Sequence, residues 1–251
     1  MTKLKDYKFF LLIGSTKIKF EAIDTNNEIY FSKKDLIDNS SNIENLDTLE
    51  KFLKNHIFDI EKNLDNYVKD INLVIDHKDF LFVNLSMKYT FDGIKFNQNR
   101  LNSLLVELKS QFKNTIGNFE VIHMVINKFI VDGKTYSQLT ELTNYDKIHL
   151  EIKFICLNKN IILNLKDILS KYQIMVRNLI CYEYLKEFED FSDRKSLIFA
   201  HKVLNGLNHN EVFFSNKNTK NISFFEKFFS FLVKTVFSRN ICCFLFFKSR
   251  Y

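Results

Sequence analysis

The pattern of apolar and polar residues near the start of the chain predicts three short strands. Apolar segments there are separated by Gly14 and by the Asn26–Asn27 pair, and both are typical turn residues. A polar stretch over 38–47 follows and is expected to be a loop. The predicted strands are Lys8–Ile13, Lys17–Ile23 and Glu28–Phe31.

A helix and a buried strand complete this first part of the chain. Apolar residues recur at helical spacing over about 47–67, where Asp47 and Glu50 have the spacing of a capping box. Ile71–Ile75 is almost entirely apolar, which is typical of a strand buried on both faces of a sheet.

A second group of elements begins near Phe80 and alternates strands with helices. Its order of strand, helix, strand, strand, helix, strand is that of a small split α+β unit. In chain order, the predicted elements are a strand or hairpin from Leu81 with a turn at Asp92–Gly93, a helix marked by Leu101, Leu104, Leu105, Leu108 and Phe112, strands over Phe119–Val131 and Lys147–Leu157, a helix marked by Ile161, Leu165, Ile168 and Tyr172, and a strand over Gln173–Leu179.

The last part of the chain is predicted to be helical on both sides of a linker. Tyr182–Phe188 and Leu197–Leu207 have helical patterns, and 208–221 is rich in Asn and Lys, as flexible linkers are. On a helical wheel, the segment from Ser223 to Arg239 then separates apolar from polar residues. Its apolar side holds Phe224, Phe225, Phe228, Phe229, Phe231, Leu232, Val233 and Val236, and its polar side holds Glu226, Lys227, Ser230, Lys234 and Ser238, although Phe237 falls on the polar side and Arg239 on the apolar side.

Three interpretations of this amphipathic tail compete. Bulky Phe residues opposite basic ones are typical of a helix that lies in a membrane interface. A helix packed on the body of the protein would have a similar pattern, but the preceding linker favours independence. A membrane span over Phe224–Phe247 would be long enough, yet it would bury several charges that cost about 2.5–3.5 kcal/mol each at a helix centre. We therefore expect an interfacial helix.

Charge is concentrated at the same end of the chain. The whole chain carries a net +6, of which residues 221–251 contribute five basic residues and one acidic residue, a net +4. The remaining +2 is spread over a nearly neutral body, which argues against a nucleic-acid partner. The basic end suits an anionic lipid surface, because each basic residue near such a surface contributes about 1 kcal/mol of attraction.

Candidate catalytic and metal-binding residues are scattered along the chain. The strongest group is His77 with Asp76 and Asp79, which could form a metal or acid–base cluster but also fits a charged loop between strands. The four cysteines contain no CxxC pair and are expected to be reduced thiols, and no signal peptide is evident. We expect no enzyme, no catalytic residue and no metal ligand. The other candidates weighed are His56, His123, His149, His201, His209, Cys156, Cys181, Cys242 and Cys243.

Two segments resemble the bacterial cell-division protein FtsA, an actin-like protein. Val121–Gly133, VIHMVINKFIVDG, resembles a strand of that family that ends in Y-x-V-D-G, with Phe129 at the tyrosine position. The elements around it, over about 80–178, match the order of FtsA subdomain 1C. Leu11–Asp24, LLIGSTKIKFEAID, resembles the first phosphate loop, D-I-G-[ST]-[ST]-K, with Gly14, Ser15, Thr16 and Lys17 at matching positions.

The resemblance implies a nucleotide site that this chain does not complete. Leu12 stands where the family has an acidic residue for the nucleotide's magnesium, and leucine offers no oxygen ligand. The family's two glycine-rich loops cannot be placed, because the five glycines lie far apart. Residues 14–17 also fit a plain turn between strands. No cofactor is therefore expected, and ATP is not expected to bind.

The resulting fold class is α+β or α/β, with a partial actin-like, ribonuclease-H-like subdomain and a 1C-like split α+β subdomain before C-terminal helices. The expected domains are a 1A-type subdomain over 1–79, the 1C-like subdomain over 80–180, a helical segment over 181–207, the linker over 208–221 and a membrane-targeting helix over 222–240. Its membrane-binding residues are Phe224, Phe225, Phe228, Phe229, Phe231, Leu232, Val236, Lys227 and Lys234.

The resemblance implies an adaptor of cell division on the inner face of the cytoplasmic membrane, at mid-cell. Its expected partners are the membrane, FtsZ or later division proteins, and other copies of itself. Direct FtsZ binding is a weaker expectation, because the family binds FtsZ mainly through a subdomain 2B that the sequence does not reveal. The alternatives are a pilus-assembly adaptor of the PilM type and a degenerate actin-like ATPase.

Overall fold

The computed structural model describes residues 7–37, 46–90, 98–131, 133–136, 147–213 and 243–247. These residues belong to two compact units. The first comprises Met1–Leu81, Ile116–His123 and Ile155–His209. The second comprises Phe82–Thr115, Met124–Phe154 and Asn210–Tyr251.

The chain alternates strands and helices in both units. The strands are β1 Lys8–Ile13, β2 Lys17–Ile23, β3 Ile29–Leu36, β4 Asp70–Ile75, β5 Leu81–Thr90, β6 Phe119–Val131, β7 Lys134–Tyr136, β8 Lys147–Asn158, β9 Met175–Cys181 and β10 Cys243–Phe247. The helices are α1 Asp47–Leu64, α2 Gln98–Thr115, α3 Lys159–Lys171, α4 Tyr182–Leu185 and α5 Ser196–Leu204, with a 3₁₀ turn at Asp193–Lys195 before α5.

The sheet of the first unit has the order β3-β2-β1-β4-β9. The first three strands form an antiparallel meander, whereas β4 pairs parallel to β1 and β9 pairs parallel to β4. This order, with these directions, is that of the ribonuclease-H-like sheet on which actin-like subdomains are built. The expected mixed α+β fold with a partial actin-like subdomain is therefore confirmed.

Helices cover both faces of this sheet. In α1, His56 contacts Asp35 of β3 at 2.8 Å, and Asp35 lies opposite Ile18 on β2. In α5, the His201 ring lies 5.6 Å from the Phe10 ring of β1. Paired residues on neighbouring strands lie on the same face, so Asp35, Ile18 and Ile13 share one face of the sheet. Successive residues of a strand alternate between faces, so Phe10, three residues before Ile13, lies on the other face. Helices α1 and α5 therefore lie on opposite sides of the sheet. Burial on both sides explains the nearly continuous apolar sequence of β1 and β4.

The second unit contains a five-stranded sheet in the order β10-β5-β8-β6-β7. The predicted amphipathic face of α2 is confirmed, because its five marker residues are all buried. Phe112 of that face stacks on Phe154 of β8 with ring centroids 4.0 Å apart. The short strand β7, which the sequence pattern did not reveal, closes a hairpin with β6.

The units follow different boundaries from those expected at 79/80 and at 180. Residues 155–180, including α3 and β9, belong to the first unit, because β9 pairs with β4 along its whole length. Two segments of the second unit, over 82–115 and 124–154, therefore lie between β4 and α3 in chain order, and its third segment follows α5.

The predicted linker also differs at its start. The Ile126 amide donates to the Asn210 carbonyl at 3.0 Å, and the Val212 amide donates to the Met124 carbonyl at 2.8 Å. Residues 210–212 are thus tied to β6. Most of the expected linker over 208–221 and the whole expected helix over 222–240 lie outside the described residues.

The C-terminal strand β10 pairs antiparallel with β5, with Cys243 opposite Met87. Among the helices in the described ranges, none is both long and apolar enough to cross a membrane.

Candidate functional site

Three parallel strands of the first sheet end at the same edge. β1, β4 and β9 end at Ile13, Ile75 and Cys181, and the Asp76 amide donates to the Ile13 carbonyl at 2.9 Å. Ligands of open α/β sheets bind beyond the carboxyl ends of the strands. This carboxyl edge, formed by the residues that follow β1, β4 and β9, is the candidate functional site.

The residues expected to form a phosphate loop make a closed turn between β1 and β2. The Gly14 amide donates to the Lys17 carbonyl at 2.9 Å, and the Ile37 amide donates to the Thr16 carbonyl at 2.9 Å. A Cβ atom on Gly14 would lie 3.4 Å from the Lys17 carbonyl oxygen and 3.6 Å from Asp76 Oδ2, which are ordinary contact distances and place Asp76 beside the turn. Ser15 at the tip is exposed.

Leu12, at the position of the family's acidic residue, is fully buried in the sheet. It offers no oxygen to a cation at this edge. Lys17 makes an ion pair instead, with its ammonium 2.6 Å from Asp193 Oδ2. The Tyr182 hydroxyl donates to the other carboxylate oxygen, Asp193 Oδ1. We call Lys17, Tyr182 and Asp193 the Asp193 cluster.

The edge carries more negative than positive side chains. Its carboxylates are Asp76, Glu183 and Asp193, and its ammonium groups are Lys17 and Lys186. Lys186 pairs with Glu183 at 3.1 Å. Burial raises the pKa of Asp76 above its ordinary value, although the charge of Lys186 partly opposes that effect.

Several of the candidate histidines and cysteines support the fold through hydrogen bonds or burial. In the candidate group around His77, which also fitted a charged loop, His77 Nδ1 accepts from the Asp79 amide at 3.1 Å, and the ring thereby closes a turn. His123 is buried, and its Nε2 accepts from the Cys181 amide at 3.0 Å. Burial raises the pKa of the Cys181 thiol to about 12 and lowers the pKa of His201.

The remaining candidates are distributed through both units. His149 contacts the Ser86 hydroxyl in the second unit, and Cys156 is fully buried. Across the part of the chain that the structure describes, no three His, Cys, Asp or Glu side chains are grouped to hold a metal ion. The membrane-binding residues expected from the sequence all lie outside the described ranges.

The sequence pattern predicts Gly14–Lys17 at the end of a strand, as observed, but not the partners of Lys17. The pattern groups Asp76 only with His77 and Asp79, whereas the structure brings Asp76 to Gly14. The available signal was its position directly after a buried strand. No comparable sequence pattern marks Tyr182 or Asp193 as part of the site, because Asp193 lies 176 residues from Lys17 along the chain.

Comparison with known proteins gives similarity at the level of solved structures alone. No protein-family model and no curated protein sequence matches the chain. A structure of a PilM–PilN type IV pilus biogenesis complex is similar with a TM-score of 0.44 and 10% identity, covering 72% of this chain and 49% of that one. A protein of unknown function with an actin-like ATPase fold from Bacteroides thetaiotaomicron gives 0.33 and 15%, covering 74% and 57%.

The cytoplasmic domain of EpsL, an inner membrane component of the type II secretion system of Vibrio cholerae, gives a TM-score of 0.34 and 9% identity, covering 72% and 57%. This chain therefore spans about half the length of the structures it resembles. Scores and identities this low carry no information about activity, substrate or partner. The sheet order described above, rather than these scores, is the basis of the fold assignment.

Replacing Asp76 by Asn should stabilise the protein at neutral pH. A carboxyl with a raised folded-state pKa gives stability that is fully present below its unfolded value and is lost as pH rises through the folded value. Asn keeps the shape and has no charge to desolvate. Urea unfolding of the full chain should show a higher midpoint for Asp76→Asn at pH 7, with the gain vanishing near pH 3.

Exposed Asp79→Asn, three residues along, is the control and should not change the midpoint. A lower midpoint for Asp76→Asn at pH 7 would show that the lysines at the edge outweigh the cost of burial.

Proposed function

We propose that this chain is a non-enzymatic adaptor of the actin-like fold class, attached to the cytoplasmic face of the cell membrane by its C-terminal segment. The observation that carries this proposal is the burial of Leu12 at the end of β1, with no part of its side chain exposed. An edge without that oxygen ligand is poorly suited to a magnesium–nucleotide complex, because magnesium takes oxygen ligands in a strict octahedral geometry.

The rest of the carboxyl edge also disfavours a nucleotide. The Gly14 amide, which would otherwise face a phosphate, donates to the Lys17 carbonyl. The Lys17 ammonium is paired with Asp193. Asp76 and Glu183 add negative charge nearby, so a triphosphate would meet repulsion that no metal ligand from β1 offsets.

We expect the purified full chain to show no ATP binding by isothermal titration calorimetry at ligand concentrations up to about the millimolar range typical of specific sites. Magnesium should not change this result, since Leu12 supplies no ligand to it. The matched variant is Lys17→Met, which removes the only loop cation. Micromolar ATP affinity in the wild-type chain that Lys17→Met abolishes would overturn the proposal.

Membrane attachment rests on the amphipathic pattern of 222–240 and on the net +4 of residues 221–251. Phe side chains inserted into the interface gain free energy by leaving water, and the basic residues add attraction to anionic lipids. The segment follows in sequence after residues 210–212, which are hydrogen-bonded to β6.

Charges placed on the apolar side of this segment should release the protein from membranes. Phe228→Glu with Leu232→Glu removes two side chains that each gain about 1.5–3 kcal/mol on burial, so vesicle affinity should fall on the order of 100-fold or more. The measurement is co-sedimentation of the full chain with anionic phosphatidylglycerol vesicles.

The matched control is Phe237→Glu, which makes the same kind of change on the polar side of the predicted helix. It should retain most vesicle binding. Equal sedimentation of the double variant and wild type would contradict membrane attachment through this face, and equal loss in both variants would contradict the helical arrangement.

Within the adaptor class, we propose a division role of the FtsA type. It is favoured by the Val121–Gly133 motif and by the amphipathic tail, a feature that the FtsA resemblance implies and that is not expected of PilM-type proteins. The test is co-sedimentation with polymerised FtsZ and with purified later division proteins. A pilus-assembly partner of the PilN type is the competing outcome, since a PilM-type adaptor is the alternative within the same fold class.

A further inference from the structure

We propose that Lys17 and Tyr182 form a carboxylate-binding site whose ligand is Asp193 of the same chain, so that the carboxyl edge carries a built-in ligand in place of a diffusible one. This inference rests on the proposed function, in which no nucleotide occupies the edge. It explains how an actin-like sheet can keep the loops after its strands in order without a nucleotide.

The geometry is that of a bound anion. Asp193 Oδ2 lies 2.6 Å from the Lys17 ammonium, and Asp193 Oδ1 accepts from the Tyr182 hydroxyl. Each carboxylate oxygen thus has its own donor, one of them charged. Charge-assisted hydrogen bonds of this kind are about twice as strong as those between neutral groups.

The two ends of the ion pair differ in exposure. The Lys17 side chain is 16% exposed, whereas that of Asp193 is 65% exposed. A mostly buried ammonium needs a counter-charge, because an unpaired buried charge is strongly destabilising. Asp193 supplies it from the solvent side, which is the direction from which a free anion would arrive.

The carboxylate is delivered by fixed parts of the first unit. Asp193 begins the 3₁₀ turn that leads directly into α5, and α5 is packed on β1 through the His201 and Phe10 rings. The next residue, Arg194, accepts a hydrogen bond from the Lys19 ammonium through its carbonyl at 3.1 Å. The segment therefore contacts two lysines of β2, one through the Asp193 side chain and one through the Arg194 carbonyl.

An aromatic contact supports the same segment. The Phe191 ring lies edge-on to Tyr182 at 5.7 Å and to Phe199 of α5 at 5.8 Å. Tyr182 is thereby held from both ends, by Phe191 at its ring and by Asp193 at its hydroxyl. The contact with Phe191 orders the Tyr182 ring, which reduces the entropic cost of holding Asp193.

The charges of the cluster support this role. The pKa of Asp193 is lowered chiefly by its hydrogen bonds from Lys17 and Tyr182. The pKa of Tyr182 is raised by burial and by Asp193. Asp193 stays ionised and Tyr182 stays protonated at neutral pH, so the contribution of Asp193 to stability is present above its unfolded pKa and is lost as pH falls through its lower folded value.

The test is a double-mutant cycle on the full chain with Asp193→Asn, Lys17→Met and the double variant. Asp193→Asn is isosteric and mostly exposed, so it should fold. Each single change should lower the melting temperature by about 2–8 °C, and the double variant should lie within about 1–2 °C of the less stable single variant. The matched control is Lys171→Met, whose partner Glu50 forms an exposed pair at 3.0 Å and whose loss should have almost no effect.

A local measurement accompanies the cycle. In Asp193→Asn, hydrogen exchange of the amides in 193–204 should accelerate by about tenfold or more relative to wild type, while β4 stays protected. Additive melting shifts, no shift in either single variant, or unchanged exchange in 193–204 would overturn the built-in ligand. ATP binding by wild type would instead overturn the proposed function, so the two failures are distinguishable.

Discussion

The first unit depends on the parallel pairing of β4 with β1 on one side and with β9 on the other. Because parallel strands run in the same direction, this pairing alone brings three strand ends to one edge. Two side-chain amides, of which Asn72 is buried, link β1, β4 and β9. The Asn72 side chain donates to the Phe9 carbonyl at 3.2 Å, and the Asn178 side chain donates to Asn72 Oδ1 at 2.7 Å. Asp76, Gly14 and Tyr182 meet only because this pairing holds.

The same pairing explains how the chain accommodates an insertion. After β4 the polypeptide enters the second unit at Phe82, returns to the first unit over 116–123, and returns again along β8 into α3 and β9. The buried hydrogen bond from the Cys181 amide to His123 joins the end of β9 to the β6 residues that belong to the first unit. His123 lies in the motif that resembles FtsA, and its place in the structure gives that histidine a packing role at the sheet edge.

The spacing of apolar residues predicts most of the helices and strands, because the buried face of each helix or strand determines that spacing. β1, β2, β4, β6 and β8 match the predicted strands, and α1 and α2 match the predicted helices within a few residues. β3 runs on to Leu36 beyond the predicted end at Phe31, because its later residues include Lys33 and Lys34, which an edge strand tolerates. The partner of β9 could not be predicted, since an apolar strand carries no signal for the sheet it joins.

The candidate site was predictable only where its residues are close in sequence. The turn after β1 was visible as Gly14–Lys17, and the absence of an acidic group at Leu12 was visible as well. Asp193, the ligand of Lys17, was not visible in the sequence, because strand pairing and the packing of α5 on β1 together bring Asp193 to Lys17. An ion pair between residues far apart in the sequence has no local sequence pattern. Lys17 needs this partner because it is desolvated, and that desolvation arises only in the folded chain.

Localisation in living cells tests the central claim, a membrane adaptor that works without a nucleotide, most directly. A fluorescent fusion of the full chain would be compared with the same fusion carrying Phe228→Glu and Leu232→Glu, which leaves β10 in the chain. We expect signal at the cell periphery, enriched at mid-cell, that becomes diffuse in the double variant. Signal that is equally diffuse in both forms, or peripheral in both, would contradict attachment through the C-terminal segment.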